Sequence, residues 1–173
     1  MFLTLGVKAG TISQSQMWAI LPQTWMGNLL GSVFVALLYC WGSGSLLPVD
    51  SSLVHTVALA KTSQSAMALF FKGALCNWLV CLAIWMAIRT EGAAKFIAIW
   101  WCLLAFIASG YEHSVANMTL FALSWFGHHS DAYTLAGIGH NLLWVTLGNT
   151  LSGVVFMGLG YWYATPKSER PAP

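Results

Sequence analysis

Apolar residues run along this chain in blocks long enough to cross a bilayer, separated by short polar stretches. A helix needs ~20 apolar residues to span the hydrocarbon core. Residues 18–41, 66–89 and 140–163 meet that length and predict three full spans, with Pro22 in the first turns of the first. Residues 1–10 are apolar but too short to cross, and predict a half-helix. The run 93–126 is too long for one crossing and too short for two. At its centre stands Gly110-Tyr111-Glu112-His113-Ser114-Val115-Ala116-Asn117, where hydrocarbon would be expected. In lipid, backbone that leaves the helix must be buried in protein or line a watery cavity. The run therefore predicts a broken span: a longer half ending near Ser109, a polar loop, and a short half from about Met118 to Phe126. Half-helices around a polar break are a common way to build a substrate site at mid-membrane. The stretch 42–64, rich in Gly and Ser and holding Asp50, His55 and Lys61, reads as a loop. Residues 89–95 read as a tight charged turn, 127–136 as a polar loop, and 166–173 as a short polar tail after one membrane domain over 1–165.

Composition agrees with the pattern. The chain is 58% hydrophobic and 7% charged, against roughly 25% charged for a soluble domain, so it reads as an all-α integral membrane protein. With so few charges there is no basic patch for nucleic acid. Cys40, Cys76, Cys81 and Cys102 lie inside apolar segments, without zinc-site spacing or the loop placement of a disulfide framework. Their expected role is packing. Trp18, Trp41, Trp85, Trp125 and Trp162 sit near segment ends, as interface belts require. Charge also orients the spans. Lys8, Arg89, Lys95, Lys167 and Arg170 fall at one set of ends, and only Lys61 falls in a loop at the other. By the positive-inside bias the first set is cytoplasmic, together with the C-terminus.

A repeat runs through the chain. Met26-Gly27-Asn28-Leu29-Leu30-Gly31-Ser32-Val33 resembles Leu147-Gly148-Asn149-Thr150-Leu151-Ser152-Gly153-Val154, and Met1-Phe2-Leu3-Thr4 resembles Met118-Thr119-Leu120-Phe121. In the orientation above, the two copies cross in opposite directions, the inverted-repeat signature of many transporters. The second copy is preceded by a span, a half-helix and the His113 loop. The expectation is an N-terminally truncated chain, lacking about one span, one half-span and a loop.

Candidate chemistry gathers around the break. His113 titrates near neutrality and both donates and accepts hydrogen bonds. Beside a half-helix N-terminus it can hold a small anion and pass it a proton. Glu112 is expected to tie the loop to a neighbouring helix. Asn117 either caps the short half-helix or lines a pore. Asn77 and Val80 share a face of the 66–89 span, and Asn77 either glues helices together or meets the substrate. Lys72 either snorkels to headgroups or draws anions into a vestibule. Phe106, about two turns before His113, is either a packing aromatic or an apolar constriction. His128, His129 and Asp131 form a weak candidate metal set. A haem bound between His113 and His140 is a competing reading, but the two histidines fall at different depths. A third reading is a non-transporting fragment that packs against other subunits. No nucleophile stands beside a partnered base, so nothing indicates an enzyme.

The Gly110–Met118 loop, with Lys72-Gly73-Ala74-Leu75-Cys76-Asn77-Trp78-Leu79-Val80, resembles the formate/nitrite transporter family, closest to its nitrite-channel branch. The resemblance covers essentially the whole chain, and its Glu-His-Ser-x-Ala-Asn loop is highly specific. It implies an aquaporin-like helical bundle with two broken helices in inverted halves, assembled as a homopentamer with one pore per protomer in a bacterial inner membrane. It implies passage of nitrite, formate or other small monovalent anions, without a cofactor. It makes His113 resemble the central pore histidine, Phe106 a constriction aromatic, Asn77 and Val80 lining residues, and Lys72 a lysine of the nitrite branch. Family members carry a first helix, half of a second and a mobile pore loop ahead of the position of Met1.

Overall fold

A computed structural model describes residues 1–42, 53–127 and 129–166. The described residues are helical throughout their regular structure. Helix α1 spans Phe2–Lys8, α2 Gln14–Gly42, α3 Leu53–Thr62, α4 Ala66–Ala87, α5 Ala93–Ala108, α6 Ser114–Phe126 and α7 Leu135–Leu151. A π-helical stretch, Ser152–Leu159, continues α7 into the short α8, Gly160–Ala164. Among the described residues, three helices are long and apolar enough to cross a membrane: Gln14–Gly42, Ala66–Ala87 and Leu135–Ala164. Their outward faces are apolar, with Phe34, Leu38 and Trp41 of α2 and Phe96, Trp100 and Trp101 of α5 all exposed. Contiguous apolar surface on this scale needs lipid or another protein against it.

Several elements depart from the sequence reading. Helix α2 starts at Gln14, so Pro22 lies two turns inside it. The loop expected over 42–64 contains α3, and its residues 43–52, Asp50 included, lie outside the described residues. The last span starts at Leu135 rather than His140 and loosens into π geometry at small residues. There Gly158 lies so close to Thr4 of α1 that any side chain would collide with it. A π stretch widens the turn, and α1 packs on that stretch.

Helix α5 ends where the sequence breaks, and the reason is local. Gly110 takes a left-handed φ of 64°. The amide of Gly110 donates to Ile107 O (3.1 Å) and that of Tyr111 to Phe106 O (3.1 Å). This is the Schellman pattern, which glycine permits without steric cost. The chain then runs extended through His113, the N-cap of α6.

Helices α4 and α7 cross at glycines. A Cβ on Gly148 would fall within the carbonyl oxygen of Phe70, and one on Gly73 would lie 2.8 Å from Val145 O. Small residues let membrane helices approach closely. The core cluster, Ala58, Met118, Phe121, Tyr133 and Leu142, sits where α3, α6 and α7 meet, with Trp25 and Leu29 of α2 against it. Each half-helix packs on the long helix of the other repeat copy: α1 on the π stretch and α6 on α2. Ser32 and Thr119 join across the second of these contacts, Oγ to Oγ1, at 3.0 Å. At one end of the bundle Lys8 Nζ donates to Tyr163 Oη (3.4 Å), Trp85 packs on Tyr161, and Arg89 lies over Trp85. Lys8, Arg89 and the end of α8 thus share a side. Lys167 and Arg170 lie outside the described residues.

Candidate functional site

The break between α5 and α6 opens on a cavity of about 830 Å³. Its wall is mainly apolar, from α2, α7 and the π stretch, and its polar groups include Asn28, Asn77, His113, Ser114 and Asn149. His113 is half-buried there. Its Nδ1 accepts from Ala116 N (3.4 Å), capping α6. With Nδ1 accepting, the ring's proton sits on Nε2. The Phe106 ring lies 6.1 Å from the His113 ring, centre to centre, tilted by 33°. The two rings are in contact, while Phe106 is apart from the residues that wall the cavity.

Glu112 points the other way, into protein, and is 1% exposed. A carboxylate so placed must be paired and hydrogen-bonded. Lys61 Nζ lies 2.8 Å from Oε2. Asn117 Nδ2 donates to Oε2 (2.6 Å) and Gln64 Nε2 to Oε1 (3.0 Å). The Glu112 amide donates to Lys72 O (3.4 Å). Glu112 therefore ties the break to α3, α4 and α6 at once. Asn117 also donates to Asn141 Oδ1 (2.9 Å), and Asn141 donates to Lys61 O (2.9 Å). Asn117 is neither a cap, since His113 holds that place, nor part of the cavity wall: it is 2% exposed inside this network.

Lys72 is half-buried on α4, and its Nζ donates to Gln64 Oε1 (2.7 Å). Gln64 thus bridges Lys72 and Glu112. Asn77 faces the cavity, and its Nδ2 donates to the main-chain oxygen of Asn149. Val80 is half-buried on α4, apart from the residues that wall the cavity. His140 directs Nε2 to Gln64 O (3.2 Å), so its free nitrogen is engaged at the α3–α4 junction rather than opposite His113. His129 stacks on Trp125 at 4.7 Å between ring centres, and His128 lies outside the described residues.

The sequence reading missed Lys61, Gln64, Asn141 and Asn149. On its charge and its Gly- and Ser-rich surroundings Lys61 reads as a loop residue. It stands instead in the last turn of α3, paired with the buried Glu112. The available signal was a lysine ending a short apolar stretch, as costly beside lipid as the carboxylate it meets. Asn141 and Asn149 are amides inside an apolar span, and such groups must find partners. That Asn149 bonds to the break 35 residues away, and Asn141 to Asn117 and to Lys61 O, is a matter of tertiary arrangement.

Comparison with known proteins places this geometry. The family model described as Formate/nitrite transporter matches residues 1–163. The nitrite transporter NirC of Salmonella typhimurium is 91% identical over 173 residues, which is 100% of this chain and 64% of that protein. A solved structure described as an FNT family ion channel superposes with a TM-score of 0.93 at 90% identity, over 96% of this chain and 67% of that one. A pentameric formate channel with formate bound superposes with a TM-score of 0.75 at 25% identity, over 90% and 69% of the two chains. The chain spans 64% of the length of the curated NirC relatives it matches.

Proposed function

The chain belongs to the formate/nitrite transporter family, and from that footing we propose that it forms the pore-bearing part of a nitrite channel. Related small monovalent anions such as formate share the path. The channel is a homopentamer in a bacterial inner membrane, with a pore in each protomer and the C-terminus in the cytoplasm. The observation that carries this reading is His113 at the broken helix, its ring on Phe106 and its edge toward the cavity. The family's channels supply the pentamer and the small anions by analogy. The exposed apolar faces of α2 and α5 are fitted to lipid and to neighbouring protomers. The gathering of Lys8 and Arg89 at one end supports the cytoplasmic assignment.

The mechanism follows from what a small anion loses at mid-membrane. Most of its water is gone, and something must offset that cost. A free lysine would hold it too tightly and would itself be costly to bury. Here the lysine that reaches the break, Lys61, is already neutralised by Glu112. The anion meets the Nε2–H of His113 and the positive end of the α6 dipole. A ring protonated from the aqueous side gives its proton to nitrite, forming neutral nitrous acid and returning to neutral imidazole. The acid passes the apolar Phe106 more easily than the ion. Conduction needs a site strong enough to admit and weak enough to release, and a titrating imidazole meets both demands.

Nitrite flux into proteoliposomes tests the reading. Because the ring must be protonated before it can give its proton to nitrite, acid-driven flux should rise as the pH falls. His113→Asn keeps a good N-cap and should keep the fold, but lose that rise. A variant with the unaltered pH profile would make His113 structural and end the proton-transfer mechanism.

A further inference from the structure

An Asn side chain has one oxygen with two acceptor sites and two N–H donors. At Asn149 all four are in use. Oδ1 accepts from Ser114 N and from Ser114 Oγ, each at 3.0 Å. Nδ2 donates to Gly73 O (2.8 Å) and to Glu112 O (3.2 Å). Two of the partners belong to the residue after His113 and one to the residue before it. The fourth belongs to α4, at the glycine that lets α4 and α7 touch. The main-chain oxygen of Asn149 receives Asn77 Nδ2, so a cavity-facing amide braces the same point.

We propose that Asn149 is the positioning residue for His113: a four-bonded clamp that fixes the backbone on both sides of the histidine and so aims its ring at the cavity. This rests on the reading of His113 as the pore histidine. Held at residues 112 and 114, the backbone of His113 (φ −117°, ψ 117°) has no room to swing. The ring is then fixed by its Nδ1 bond to Ala116 N and by Phe106. No other side chain performs this task at this length. Asp lacks the donors and would set a carboxylate against two carbonyls. Leu offers no bond, and Gln carries the amide one methylene too far. The ionisable groups nearby are Glu112 and Lys61, paired with each other, Lys72, which ends on Gln64, the thiol of Cys76 on α4, and the Met1 amino group, which shares the cavity wall. None of them bonds to the imidazole.

The test reads the imidazole directly. The chain is labelled with 15N-histidine in detergent micelles, and the His113 signals are assigned from their loss in His113→Asn. Asn149→Ala removes the clamp. Ser114→Ala removes one of its four bonds and tests the idea even if Asn149→Ala does not fold. Each folded variant should shift the His113 titration by about 0.5 pH unit or more and erode its Nε2–H tautomer, and the midpoint of nitrite flux against pH should move with it. In the His113→Asn background, Ser114→Ala should leave the pH profile unchanged. A His113 titration and tautomer unmoved in folded Ser114→Ala and Asn149→Ala would overturn the clamp. A moved titration with an unmoved flux profile would uphold the clamp and remove His113 from the pore.

Discussion

The two copies of the repeat place the same residues in opposite circumstances. Gly148 and Asn149 of the second copy sit in the tightest part of the molecule. Gly148 is pressed on the backbone of α4, and Asn149 is saturated by the break loop. Their equivalents in the first copy are looser: Gly27 faces open space, and Asn28 is half-buried on the cavity wall. A Cβ on Gly27 would meet nothing within 4 Å, and Asn28 Nδ2 turns back to Thr24 O of its own helix (3.0 Å). Sequence likeness therefore carries the local helix but not the environment. What makes Asn149 part of a site is the loop that Glu112, His113 and Ser114 bring against it. The difference between the copies can be broken or sharpened by substitution.

The largest effect is expected at the carboxylate that pins the loop. Glu112→Ala leaves Lys61, a partly buried charge, without this partner, and breaking a buried pair costs up to about 3–5 kcal/mol. The second copy should then lose its stitched loop and behave like the first. Unfolding in mixed detergent micelles would show the loss. The double variant Glu112→Ala, Lys61→Met should recover much of it, because the orphaned charge goes too. A double variant as unstable as the single one would show that the loss comes from the Gln64 and Asn117 bonds and not from the charge.

Much of this was legible in the sequence, and what was not has a physical reason. The spans were visible because the bilayer sets a length. The break was visible because Gly110, Glu112 and His113 interrupt an apolar run at mid-depth. Helix α3 was not visible. Its ten residues are too few to span, and Thr56, His55 and Lys61 make it look like loop. Burial comes to it through α6, α7 and residues 129–134: His55 Nδ1 pairs with Ser124 Oγ at 2.8 Å, Ser130 N donates to Nε2 at 3.3 Å, and Asn141 of α7 donates to Lys61 O. The role of Asn117 was misjudged because capping is local while its actual partners, Glu112 and Asn141, come from two different elements. The π stretch has no signature in composition. It arises where Gly158 must admit Thr4.

The next effect separates the copies most cleanly. Gly148→Ala forces α4 and α7 apart at a backbone-to-backbone contact, and overpacking of this kind costs about 1–3 kcal/mol. Gly27→Ala adds a methyl to an open helix face and should be neutral or gain up to about 1 kcal/mol of helix propensity. Thermal melting of the two variants side by side gives the answer. Equal losses would mean that the open face of α2 is occupied in the assembled protein as fully as that of α7.

The smallest effect tests how the copies hold each other. The half-helix α6 belongs to the second copy but lies on α2 of the first, and Thr119 Oγ1 meets Ser32 Oγ there. Ser32 is buried at 5% exposure. Ser32→Ala removes one hydroxyl and leaves the other without its partner. A net hydrogen bond is worth about 0.5–1.5 kcal/mol, and the stranded group decides where in that range the cost falls. Thr119→Val together with Ser32→Ala removes both groups at nearly constant shape, and replacing both partners by apolar groups can be close to neutral. The expected order of stability is thus wild type near the double variant, with Ser32→Ala below both. The bond lies on the far side of α6 from the Glu112 network, so the pH profile of flux should stay in place while stability falls. A profile displaced by Ser32→Ala would mean that α6 moves as a body on α2, and that the first copy takes part in aiming His113 even though its own Asn28 bonds back to Thr24 O of α2.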